Sequence, residues 1–131
     1  MSLKRVFVVD GARTPFLKVR GGPGPFAAAD LAMACARPLL ARQPFAPSDI
    51  DEAIVGCVIP APDEANIARI VALRLGCGKH VPAYTVQRNC ASGLQALASA
   101  AERITLGYSN LVLAGGTEFA ITVENPEHRC H

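Results

Sequence analysis

The chain has 131 residues, half of them hydrophobic by type, which is enough for one domain with a real core and too few for two of ordinary size. Thirteen basic residues face 11 acidic ones, a formal net charge of +2 spread along the chain, so there is no basic stripe for nucleic acid. The apolar run Val6 to Val9 ends at Asp10, short of a signal-peptide core, and no stretch reaches membrane-spanning length. A soluble cytoplasmic protein without nucleic-acid or membrane partners is the expectation.

The N-terminal run Val6-Phe7-Val8-Val9 is apolar without alternation, the pattern of a strand covered on both faces. Asp10-Gly11 ends it. Pro15 keeps Thr14 extended, so Arg13-Thr14-Pro15-Phe16 reads as an ordered loop with Phe16 as its anchor to the core. Gly21 to Pro25 is a connector without the Gly-Lys-Ser/Thr ending of a phosphate loop. From about Ala28 a helix is predicted, with Leu31, Ala34, Cys35, Pro38 and Leu39 on one face. The interior Pro38 predicts a kink or an early end there.

Pro44, Pro47, Ser48 and Asp49 mark the next connection, and Ala53 to Ile59 is a second buried strand, stopped by Pro60-Ala61-Pro62. Asn66 to Leu75 is the second helix, with Ile67, Ile70 and Val71 inward and Gly76 as its C-terminal stop. Arg69 reads as structural, since arginines are commonly solvated or paired, rather than as a contact to a nucleotide phosphate. A third strand, Tyr84 to Gln87, leads into a helix carrying Leu94, Leu97, Ala98, Ala101 and Ile104 at the i, i+3, i+4 spacing. Nearly every side of that helix is small or apolar up to Ala101, so enclosure by protein is expected. Gly93 would permit a close approach of backbone or substrate, and Gly107 closes the helix. Leu111 to Gly116 is the fourth strand. Strand and helix alternate throughout, which predicts a layered α/β fold with a mostly parallel sheet, about four strands and three helices.

The five cysteines are Cys35, Cys57, Cys77, Cys90 and Cys130, an odd number without a C-x-x-C pair. That argues against a disulfide framework and a structural zinc site, and fits a reducing compartment. His128, Cys130 and His131 crowd together without the paired spacing of a metal site, so no metal is expected. Cys90 stands apart because it falls at a strand-to-helix turn, with Asn89 as candidate N-cap. In the first turn of a helix, unpaired N–H groups and the positive end of the dipole favour the attacking thiolate. The same groups, supported by Asn89, Ala91, Ser92 and Gly93, could stabilise an oxyanion on a substrate carbonyl. The alternative for Cys90 is a small buried hydrophobe.

The wording around Cys90 adds to this. Cys90-Ala91-Ser92-Gly93-Leu94-Gln95-Ala96-Leu97 resembles the acyl-enzyme cysteine segment of the thiolases. Three further stretches match that family in order: Val9 to Phe16, Asn66 to Arg69, and Ala114 to Glu118. The resemblance covers about residues 3 to 120 and implies the N-terminal portion of a thiolase, an acyltransferase acting on acyl-CoA thioesters with no further cofactor. It implies Cys90 as the acyl-enzyme nucleophile, residues 1–120 as an incomplete N-terminal α/β domain, and 121–131 as an irregular tail. It also implies that the strand of Tyr84, Thr85, Val86 and Gln87 is a dimer interface. Gln87 departs from the Asn, Ser or Thr usual in the family three residues before the cysteine. His80 and His128 do not sit in the family's histidine motif, Cys130 lacks the context of its second cysteine, and the fifth strand is missing. The expectation is therefore a chain inactive alone, a homodimer or one completed by a complementary thiolase half. The alternatives are a non-catalytic module that pairs with a complete thiolase and, ranked lower, a relative of the β-ketoacyl synthases.

Overall fold

The computed structural model describes residues 2–16 and 25–118. Helix α1 (Ala28–Ala41) is followed by strand β1 (Glu52–Gly56), helix α2 (Ile67–Leu75), strand β2 (Ala83–Val86), helix α3 (Ser92–Thr105) and strand β3 (Val112–Gly116). The strands form one parallel sheet in the order β2-β1-β3, with Ile54 of β1 opposite Tyr84 on one side and Ala114 on the other. All five residues of β1 are buried, as a central strand with helices on both faces requires. The alternation of side chains sorts the core. Ala53, Val55 and Cys57 meet α1 and α2, while Ile54 faces Ala96 and Ala100 of α3. The mostly parallel α/β class expected from the sequence is therefore what forms.

Several elements depart from expectation. Val6 to Val9 form no strand: Phe7, Val8 and Val9 are 74%, 87% and 68% exposed. The segment is fixed at its ends instead. Lys4 N–H donates to the Thr105 carbonyl at 3.2 Å and Lys4 Nζ to Asn110 at 2.7 Å. At the other end Asp10 pairs with Arg42 at 2.7 Å and accepts from Gln43 at 2.6 Å. These anchors lie at the C-terminal ends of α3 and α1, on opposite faces of the sheet, so the segment crosses from one helical layer to the other rather than joining β3. Phe16 is not a core anchor either, being 93% exposed with Arg13 over its ring.

Helix α1 runs through Pro38 to Ala41, and its buried face is Ala28, Ala29, Met33, Ala36 and Leu40 rather than the row through Leu31 and Leu39. Pro38 and Ala34, whose carbonyl it forgoes, are both exposed, so water can serve the freed acceptor and the helix does not break. Ala27 gives α1 no side-chain cap, and the buried carboxylate of Glu64 accepts from Ala29 N–H in its place. Helix α2 follows expectation closely. Asn66 caps it by accepting from Arg69 N–H, and Gly76 ends it at φ 84°, a left-handed conformation natural to glycine. Arg69 is structural, as read: its guanidinium donates to the Val81 and Lys79 carbonyls, both at 2.8 Å, and so clamps the turn into β2.

Helix α3 is not enclosed. It rests on the sheet through Ser92, Ala96 and Ala100, and leaves Leu94 70% and Leu97 48% exposed. The small residues face the sheet because the helix lies close to it, and Leu94 and Leu97 of the apolar row lie away from it. Leu94 stands clear of the described chain, while Leu97 borders a cavity that it shares with Val6 to Val9.

Candidate active site

Cys90 lies in the five-residue connection, residues 87–91, between β2 and α3, at the C-terminal end of the parallel sheet. It is exposed, which removes the reading of a buried hydrophobe. The helix begins two residues later than the sequence suggested: Ala91, not Asn89, holds the N-cap position, and Cys90 immediately precedes it. Asn89 instead takes the left-handed conformation at φ 48°, which asparagine tolerates better than most residues and which folds the chain back tightly enough to present Cys90 outward.

That turn is held from within. Ser92, buried at the base of α3, accepts from Arg88 N–H at 2.8 Å and donates to the Asn89 carbonyl at 2.7 Å. Ala91 N–H reaches the Arg88 carbonyl and Ser92 N–H the Asn89 carbonyl, both at 3.1 Å. Gln87, the departure noted in the sequence, has a local use: its side-chain oxygen accepts from Asn89 N–H at 2.9 Å. Arg88 continues the brace by donating to Gln95 at 2.6 Å. Of the residues named beforehand, Asn89, Ala91, Ser92 and Gly93 gather about Cys90. Tyr84, Thr85 and Val86 lie in β2, an edge strand of the described sheet, while Gln87 falls just past its end.

The remaining described cysteines differ sharply. Burial pushes the thiols of Cys35 and Cys77 up. Cys57 is pushed up to about 11, first by burial and then by the nearby Glu118 carboxylate, so it stays a thiol at neutral pH. His80 precedes β2 whereas Cys90 follows it, so the strand's length separates them. His128, Cys130 and His131 lie outside the described residues, and among the described ones no cluster suited to a metal ion exists.

One structural role went unread in the sequence. The residues after β3 form a junction: the Thr117 hydroxyl donates to the Ala28 carbonyl at 2.7 Å and its N–H to the Gly56 carbonyl at 3.0 Å. Glu118 accepts from the N–H groups of Val58 and Ile59. Gly116 sits against Gly93, where a side chain would meet the Gly93 Cα at 3.0 Å. The end of β3 thereby ties the start of α1, the end of β1 and the first turn of α3 together.

Residues 6–128 match the family model for the N-terminal domain of thiolase. The chain belongs to the thiolase family. Among its relatives, the 3-ketoacyl-CoA thiolase of Yersinia enterocolitica is 40% identical over 114 residues, 87% of this chain and 26% of that protein. The crystal structure of the acetyl-CoA acetyltransferase of Bacillus anthracis is similar at a TM-score of 0.66 and 42% identity, covering 70% of this chain and 23% of that one. Human mitochondrial 3-ketoacyl-CoA thiolase, solved in complex with CoA, is similar at a TM-score of 0.67 and 29% identity, over 79% of this chain and 27% of that one. This thiolase-family chain thus spans about a quarter of the length of the relatives it matches.

Proposed function

We propose that Cys90 is the nucleophile of an acyl-CoA C-acyltransferase of the thiolase type, and that this chain supplies the half of the active site that carries the acyl group. The observation that carries the reading is an exposed cysteine in a braced strand-to-helix turn of a thiolase-family chain. In the forward half-reaction the Cys90 thiolate attacks the keto carbon of a 3-ketoacyl-CoA. The C–C bond then breaks, a proton is taken up, and acetyl-CoA leaves. The acyl group passes from sulfur to coenzyme A, an exchange between thiolates of similar basicity. The N–H groups of Ala91 and Ser92 are already used within the turn, so stabilisation of the developing oxyanion falls to Gly93 N–H and the positive end of α3.

The family's proton-accepting histidine and second cysteine have no counterpart in this sequence, so the chain is read as nearly inactive by itself and completed by a complementary thiolase half. We place it in the cytoplasm, in fatty-acid metabolism, with pairing through β2 as its dimer contact. Coenzyme A thioesters are its ligands, as CoA is for the human relative. A purified chain that thiolyses acetoacetyl-CoA at an enzyme-like rate, with loss of that rate in Cys90→Ser, would refute the inactivity. Little or no turnover, restored by a polypeptide carrying the rest of the fold, is the expected result. The second reading, a non-catalytic module that binds a complete thiolase, is favoured by the exposed Leu94 and Leu97. It predicts co-elution with such a partner and no acyl transfer to Cys90.

A further inference from the structure

We infer that Gly56, at the end of β1 and far from Cys90 in sequence, is a positioning residue for the Cys90 turn, acting with the Ser92 hydroxyl; this rests on the reading of Cys90 as an acyl-accepting nucleophile. Gly56 is the seat. A Cβ built on it would lie 2.3 Å from the Ser92 carbonyl oxygen, 2.4 Å from its carbon and 2.7 Å from Gly93 N, distances that no real side chain occupies. These are backbone atoms, so the first turn of α3 would have to lift off the sheet to make room. Gly116, paired with Gly56 across the sheet, repeats the constraint against Gly93. The two strand ends thus let the helix start rest directly on the backbone of β1 and β3.

Ser92 converts that seat into a fixed cysteine. Its backbone presses on Gly56 while its buried hydroxyl is bonded to both sides of the Cys90 turn, the Arg88 N–H and the Asn89 carbonyl. A shift of the first turn is therefore passed to Cys90 through two short hydrogen bonds. Neither Gly56 nor Ser92 needs to touch substrate for this. Displacing a nucleophile by about 1 Å can cost on the order of 100-fold in rate.

The test compares two reactions of the same sulfur in the full chain, supplied with a polypeptide carrying the rest of the thiolase fold. Acetyl transfer from acetyl-CoA to Cys90 depends on the direction of attack and on the helix N–H groups; alkylation by iodoacetamide depends mainly on exposure. In the transfer, the Cys90 thiolate forms the new C–S bond, the thioester C–S bond breaks, and coenzyme A leaves as the thiolate. Both rates are read by mass spectrometry of the peptide carrying Cys90, in the parent chain, Ser92→Ala, Ser92→Thr and Gly56→Ala. Circular dichroism checks that each variant folds. The ratio of acetylation to alkylation is expected to fall about tenfold or more in Ser92→Ala, with recovery in Ser92→Thr, which keeps the hydroxyl. Gly56→Ala is expected to show the same fall, although neither Cys90 nor Ser92 is altered. A merely structural role would change both reactions together and leave the ratio alone, and that result overturns the inference. Acetylation absent from the parent chain would instead sink the nucleophile reading, and this inference with it.

Discussion

At the scale of single residues, the four described cysteines separate by environment rather than by sequence. Cys57 and Cys77 are buried and their thiols are pushed up, whereas Cys90 is exposed. Brief iodoacetamide treatment of the native chain at neutral pH is expected to label Cys90 before Cys57 or Cys77, and labelling of Cys57 first would contradict the burial described. Asp10 gives a second test. The Arg42 guanidinium, then Gly11 N–H and the Gln43 amide, hold its carboxyl well below the usual carboxylate range. A carboxylate depressed on folding contributes fully above its unfolded pKa of about 3.9, and that contribution fades as the pH falls through the folded value. The crossing segment should therefore stay fixed at neutral pH and come loose only in strong acid. Asp10→Asn should loosen it at neutral pH, seen as faster hydrogen exchange over residues 4–11 and faster cleavage after Arg5, with the core unchanged.

At the scale of elements, what the sequence made legible was what local periodicity and punctuation control. Helix α2, with Asn66 before it and Gly76 after it, matched closely, because its cap and stop are chosen by chemistry within a few residues. Helix α3 was found, but the enclosure expected for it is absent among the described residues, and only one side of it is buried. Leu94, Leu97 and Ala98 form the stronger apolar stripe, yet Ala96 and Ala100 pack on Ile54, on the side of the helix that the proximity of Gly56 and Gly116 to Ser92 and Gly93 seats against the sheet. Such proximity is a property of strands far apart in sequence. The same holds for Val6 to Val9, whose pattern suits a strand but which lies apart from β3. Two substitutions test this packing. Ile54→Ala, at a fully buried position between β1 and α3, should cost about 2–5 kcal/mol by denaturant titration. Leu94→Gln should change the stability of the isolated chain by no more than about 0.5 kcal/mol, and a cost like that of Ile54→Ala would show that the leucine face is packed after all.

At the scale of the whole molecule, two surfaces are unusual for a solitary domain. The leucine face of α3 is exposed, and β3 ends the described sheet as an apolar strand whose outer side is separated from Val6 to Asp10 by a cavity of about 250 Å³. An unpaired apolar strand edge invites pairing with another chain, and an uncovered helix face invites burial. The chain is accordingly expected to self-associate at raised concentration, measured by sedimentation, and to elute as a stable complex when a polypeptide carrying the remaining three quarters of a thiolase is supplied. The site was legible to the extent that Cys90 and its neighbours form one contiguous stretch. The seat under Ser92 and the junction at Thr117 and Glu118 were not, since they join residues about 25 to 90 positions apart.

Whether Cys90 accepts an acyl group is the point on which the account turns, and it can be measured with isotopically labelled acetyl-CoA and peptide mapping on the chain supplied with a polypeptide carrying the rest of the thiolase fold. The account predicts one acetyl group on the peptide bearing Cys90, removed by Cys90→Ala and released to added coenzyme A. An unlabelled Cys90, or equal labelling of Cys35 and Cys90, would contradict it.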